Sequence, residues 1–118
     1  MKGLGRHLLL ELWGGKNFNS AAAVEAALRD AAAACAATLK DVQVYYYNPE
    51  GVTGVAVLAE SHITIHTWPE YNYAAVDVFT CGDDADPRVA IPVFRDCFEA
   101  ERVQIMEVVR GIASCIER

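Results

Sequence analysis

Apolar and polar residues alternate along most of this chain, and the alternation predicts a sheet-rich protein. Arg6 to Trp13 reads as a strand closed by Gly14 and Gly15. Asn17 to Ser20 offers several N-cap candidates before an alanine-rich segment reaching about Leu39. Val24, Leu28, Ala31, Cys35 and Leu39 fall at helical spacing, with Glu25, Arg29 and Asp30 off that stripe, so an amphipathic helix with a slim apolar face is expected. Its small side chains let it lie close to a sheet.

Val42, Val44 and Tyr46 alternate with Gln43, Tyr45 and Tyr47, the two-residue period of a strand. Asn48-Pro49-Glu50-Gly51 is a turn, residues 52–59 are a further β-rich run, and Ile63 and Ile65 alternate with His62, Thr64 and His66. Pro69-Glu70-Tyr71-Asn72 turns the chain into a strand over Ala74–Cys81, with Val76 and Val78 on one face and Asp77, Phe79 and Cys81 on the other. Asp86-Pro87 opens a second helix bearing Val93, Phe94, Cys97 and Phe98, which must kink or begin near Pro92. Val103–Val109 reads as a last strand and 111–118 as a tail. This order predicts an α+β two-layer sandwich, a mostly antiparallel sheet with two helices on one face. The other sheet face, which also has apolar positions, is expected to meet another layer or a second subunit.

Composition narrows the class. At 118 residues, 53% hydrophobic and 22% charged, the chain has the length and balance of one folded globular domain, 1–118. It contains no apolar run of about 18 residues, and neither a membrane span nor a secretory signal is expected. A net charge of -6 argues against nucleic acid and makes a cationic small molecule the easier ligand. Cys35, Cys81, Cys97 and Cys115 are widely spaced without a C-x-x-C pair, so reduced thiols in a cytoplasmic setting are expected.

Chemistry is concentrated between Glu60 and Cys81, where a hydroxyl, two imidazoles, two carboxylates and a thiol surround one apparent hairpin. Taken singly, each has a plain explanation: Ser61 as a turn residue, Cys81 as a small apolar filler, Trp68 as hairpin packing and Glu70 as a solvated charge. His62 and His66 do not share a metal, because residues four apart on a strand are separated by roughly 13 Å. No metal is expected.

Glu60-Ser61-His62-Ile63-Thr64-Ile65-His66-Thr67-Trp68-Pro69-Glu70 closely resembles the processing site of the prokaryotic S-adenosylmethionine decarboxylases. So do Leu4-Gly5-Arg6-His7-Leu8, Gly51-Val52-Thr53-Gly54-Val55 and Tyr73 to Gly82, and the likeness runs from Met1 to about Gly111. The resemblance implies a self-cleaving proenzyme cut between Glu60 and Ser61, with Ser61 becoming a pyruvoyl group. Its ketone would form a Schiff base with the substrate amine and act as electron sink, in a homodimeric lyase of polyamine (spermidine) biosynthesis with active sites near the dimer interface. It assigns processing to His66 and to Thr53, where the family normally has serine, and the return of a proton to the substrate carbon to Cys81. Trp68 and Glu70 fall at substrate contacts, and Tyr47 where an aromatic ring stacks on adenine. Tyr45-Tyr46-Tyr47 departs from the usual pattern with histidine and phenylalanine. A pyruvoyl-dependent arginine or ornithine decarboxylase on the same scaffold, or a non-catalytic homologue, are the competing readings.

Overall fold

The computed structural model describes residues 3–59, 61–81 and 86–112. Six strands form one sheet in the order β2-β3-β4-β5-β1-β6: β1 Gly5–Trp13, β2 Leu39–Tyr46, β3 Val52–Leu58, β4 Ser61–Trp68, β5 Tyr73–Cys81 and β6 Arg102–Arg110. All the neighbouring pairs are antiparallel, so the expected mostly antiparallel sheet is wholly so. The helices α1 (Ala21–Ala34) and α2 (Ala90–Cys97) share one core with a single face of the sheet, which gives the predicted two layers. No helix among the described residues is long and apolar enough to cross a membrane.

The period of two decides what each face does. Leu8, Leu10 and Leu12 on β1, Ile63 and Ile65 on β4 and Val76 and Val78 on β5 point to the helices and are buried. Each such side chain contributes about 1.5–3 kcal/mol on leaving water, which makes a one-residue slip of register prohibitive. The intervening residues therefore line the opposite face in a fixed register. Across the strands, Thr53 stands beside His66, and His62 beside Phe79 and then His7.

Helix α1 ends earlier than its alanine-rich sequence suggests. The reading to about Leu39 is corrected: the helix stops at Ala34 and Leu39 opens β2. Ala36 takes a left-handed φ of 54°, its N–H bonds the Ala33 carbonyl, and Ala37 bonds the Ala32 carbonyl at 3.0 Å. That is a Schellman closure made with alanine where glycine is usual. At the other end Ser20, rather than Asn17 or Asn19, caps the helix by accepting from the Ala23 N–H. In α2, Asp86-Pro87 starts a 3₁₀ turn over Pro87–Val89, and the α-helix proper begins at Ala90. Pro92 thus sits in the first turn, where its missing N–H costs nothing and no kink is needed.

Gly54 lets α1 lie on the sheet. A Cβ there would stand 2.8 Å from Leu28 Cδ1 and Val24 Cγ1 and 3.2 Å from Ile65 Cγ2. Gly54→Ala is expected to lower unfolding stability by about 1–3 kcal/mol in urea titration, and parental stability would contradict this packing. On the open face, the Tyr73 hydroxyl donates to Glu11 at 2.6 Å, and burial, then Glu11, pushes its pKa from 10.0 up to about 12. A raised folded pKa makes this contribution full below pH 10 and lost as pH rises toward 12. Stability should fall across that window in the parent, and Tyr73→Phe should remove that component; an identical slope in both would refute it.

Candidate active site

At one end of β4, five of the residues singled out from the sequence come together. Tyr47, Thr53, His66, Trp68 and Glu70 line a cavity of about 310 Å³, with Glu50, Gly51 and Thr67 completing its wall. Its geometry follows from the register. Thr53 and His66 are cross-strand partners on the open face, and Thr53 Oγ1 lies 3.0 Å from His66 Nδ1. The same hydroxyl donates to the Tyr47 hydroxyl at 3.2 Å. Thr53 thus bridges the His66 ring nitrogen Nδ1 and the Tyr47 hydroxyl, leaving Nε2 without a bond to either. Threonine in place of serine therefore keeps the hydroxyl in contact with the imidazole.

The pocket wall between β2 and β3 is held by a residue that the sequence offered only as a helix cap. Asn19 accepts from the Gly51 N–H at 2.8 Å and donates to the Tyr46 hydroxyl at 3.3 Å, and Tyr46 in turn donates to the Pro49 carbonyl at 2.6 Å. Gly51 adopts φ 108°, which only glycine takes without strain, and its carbonyl accepts from the Tyr47 N–H at 2.8 Å. Tyr47 and Tyr45 pack edge to face at 4.7 Å, and Trp68 stacks on Tyr73 at 5.4 Å. The middle tyrosine of the run braces the turn, while Tyr47 faces the cavity.

Ser61 and Cys81 are elsewhere. Leu58 pairs with Ser61, so residues 59 and 60 alone connect β3 to β4, and Ser61 is the first residue of its strand. Its hydroxyl donates to the Ala59 carbonyl over a long 3.4 Å. Glu60 itself lies outside the described residues. Cys81 ends β5 opposite Gly5, two residues beyond the His62–Phe79 pair, which puts it at the Ser61 end of the sheet. Ser61 and His66 are five positions apart on one strand, so about 16 Å of extended backbone separates them. The sequence motif looks like one constellation, whereas the fold divides it into two groups at opposite ends of β4.

A third group was not apparent from the sequence. His7 Nε2 and His62 Nε2 both contact Asp77 Oδ1, at 3.2 and 3.1 Å, and Thr64 donates to Asp77 Oδ2. His62 is thus well away from His66, as expected, but it meets His7 and Asp77, all with ligand-type atoms within 4.8 Å of one another. Arg110, which can only donate, lies 3.1 Å from His7 Nδ1. The His7 proton is therefore on Nε2, facing Asp77, where a metal ligand would need a lone pair. Hydrogen bonding suits this cluster better than a cation does.

Cys35, Cys81 and Cys97 are free thiols, and Cys115 lies outside the described residues. Burial, reinforced by Asp86, raises the pKa of Cys35; burial, then Asp30 and Asp96, raises that of Cys97. Both belong to the packing rather than to the site.

Comparison with known proteins shows what the chain as a whole is similar to. The S-adenosylmethionine decarboxylase family profile matches residues 6–111. An S-adenosylmethionine decarboxylase proenzyme of Thermomicrobium roseum is 57% identical over 113 residues, covering 95% of this chain and 97% of the relative. One from Methanococcus maripaludis is 50% identical over 114 residues, covering 95% and 93%. The crystal structure of the adenosylmethionine decarboxylase from Aquifex aeolicus superposes with a TM-score of 0.88 at 34% identity, over 97% of this chain and 96% of that one. Profile, relatives and fold agree over nearly the whole length, and the chain belongs to the S-adenosylmethionine decarboxylase family.

Proposed function

We propose that this chain is a proenzyme that cuts itself between Glu60 and Ser61 and decarboxylates S-adenosylmethionine with the pyruvoyl group so formed. The observation that carries the proposal is the shared pocket of Tyr47, Thr53, His66, Trp68 and Glu70, which pairs a base with an aromatic and acidic surface suited to a cationic nucleoside. Family membership supports the substrate, since the relatives described above are named for S-adenosylmethionine and none for arginine or ornithine. Retention of Ser61, His66 and Cys81 speaks against a non-catalytic homologue.

Ser61 fits the first step. Its long hydrogen bond to Ala59 is given up at little cost, and the Glu60–Ser61 bond lies at the junction of a two-residue connection. Attack of the Ser61 hydroxyl on the Glu60 carbonyl carbon replaces the amide by an ester and frees the Ser61 amine. Loss of the Ser61 α-proton then breaks the ester C–O bond and releases the Glu60 carboxylate. Water displaces the nitrogen as ammonia, which leaves a pyruvoyl group on the backbone nitrogen of His62. That ketone supplies the electron sink for loss of carbon dioxide.

The chain's own residues do the rest. His66 serves as the base of processing, and Thr53 holds its ring through Nδ1. Tyr47 offers a ring to adenine, Glu70 accepts from ribose hydroxyls, and Trp68 bounds the pocket. Cys81 holds the proton that is returned to the substrate carbon.

Since Ser61 and His66 stand about 16 Å apart in one chain, we further propose that a second copy completes the site. The open face presents Leu9, Val55, Phe79, Met106 and Val108 among its polar residues, and two such faces stacked about a two-fold axis would bring the Ser61 end of one protomer to the His66 end of its partner. Free thiols and this chemistry suit the cytosol. The purified chain should split into two fragments by intact mass, one bearing a carbonyl-reactive amino terminus, and release carbon dioxide from S-adenosylmethionine but not from arginine or ornithine. Ser61→Ala should abolish both; a parent that keeps full mass, or prefers arginine, would refute the proposal.

A further inference from the structure

Cleavage at residue 61 creates a mechanical problem that the outer sheet face is built to meet. Before cleavage β4 is tethered to β3 by residues 59 and 60. Afterwards its first residue is a chain end, and chain ends fray unless something ties them down. The reacting group hangs on the nitrogen of the very next residue, His62.

The His62 side chain is tied down. Its Nε2–H donates to Asp77 Oδ1 at 3.1 Å, and Thr64, two residues further along β4, donates to Asp77 Oδ2. His7 of β1 donates to the same Oδ1 at 3.2 Å, and Arg110 of β6 holds the other side of the His7 ring at 3.1 Å. One carboxylate thus gathers three donors from two strands on either side of β5, with β6 attached through Arg110. The ring of Phe79 fills the space between the histidines, at 5.5 Å from His7 and 5.6 Å from His62. Cys81 follows Phe79 by two residues on the same strand and face, and pairs with Gly5, two residues from His7. The cluster spans the two strands that carry Ser61 and Cys81.

We propose that Asp77 is a positioning residue: through His62 and His7 it fastens the start of β4 beside the end of β5. Residue 61, next to His62, is thereby kept at the end of β5 that carries Cys81, both while the bond is cut and after the new chain end exists. This rests on the self-cleavage reading above. Asp77 touches neither the pocket at the far end of β4 nor the reacting atoms, so its loss acts on rate rather than on substrate capture.

The test follows cleavage by intact mass and decarboxylation by carbon dioxide release. Asp77→Asn keeps the shape but turns Oδ2 into a donor that cannot accept from Thr64 and leaves the two imidazoles a neutral, weaker acceptor. It should slow cleavage about tenfold or more and cut the kcat of the cleaved fraction to a similar extent, with KM changed by less than about twofold. His62→Gln, which keeps a donor for Asp77, should remain near the parent, whereas His62→Leu should match Asp77→Asn. Combining His62→Leu with Asp77→Asn should cost no more than either alone, because the residues act as one unit. If Asp77→Asn does not fold, the His62 pair decides: equal rates for the glutamine and leucine variants overturn the proposal. Parental cleavage and kcat in Asp77→Asn, or losses that add in the double variant, also overturn it. A parent chain that never cleaves refutes the self-cleavage reading instead, so the two failures are distinguishable.

Discussion

The rise of an extended strand is fixed at about 3.3 Å per residue, and this rigidity governs the functional architecture. Ser61 and His66 belong to one short motif, yet β4 is hydrogen-bonded along its length to β3 and β5 and cannot fold back to join them. Other groups gather at each end instead: Thr53, itself bonded to Tyr47, meets His66 at one, and Cys81 and the His7–His62–Asp77 cluster lie toward the Ser61 end. A single protomer therefore holds two incomplete sets of groups. The face-to-face pair proposed above would complete both by symmetry and would give the open sheet face a purpose beyond covering apolar surface.

Each face of the sheet has its own task. Leucine, isoleucine and valine facing the helices set the register, and Gly54 lets α1 approach closely enough to close the core. Because that register cannot slip without exposing the core, the polar residues opposite inherit its precision. The 3.0 Å contact of Thr53 with His66 and the three donors on Asp77 are cross-strand or diagonal neighbours of this kind. Packing energy spent on one face thus positions chemistry on the other.

Much of this was legible in the sequence, for physical reasons. Alternation over 61–68 and 73–81 forecast which side chains share a face, and the motif beginning at Glu60 marked His66, Trp68 and Glu70 through its family resemblance, as the resemblance of the preceding segments did Tyr47 and Thr53. The end of α1 was not legible, because Ala36 adopts a conformation that sequence reading looks for in glycine. Nor was the grouping of His7, His62 and Asp77, which are 15 to 70 residues apart and meet only once strand order is known. The division of the motif was hidden for the opposite reason: one apparent hairpin holds groups that β4 carries to its two ends. Asn19 was visible as a cap candidate, but its clamp on the turn at Gly51 depends on where α1 begins relative to the sheet.

The division of the site between two protomers is tested most directly by complementation. Ser61→Ala chains carry an intact His66 end, and His66→Ala chains an intact Ser61 end; each alone should remain uncut. Mixed and allowed to exchange, about half of the His66→Ala chains should be cleaved, the statistical share paired with a Ser61→Ala partner, and decarboxylation should return with them. If the mixture stays at full mass although mixed dimers form, or if His66→Ala cleaves unaided, the two ends of β4 do not complete each other across the pair.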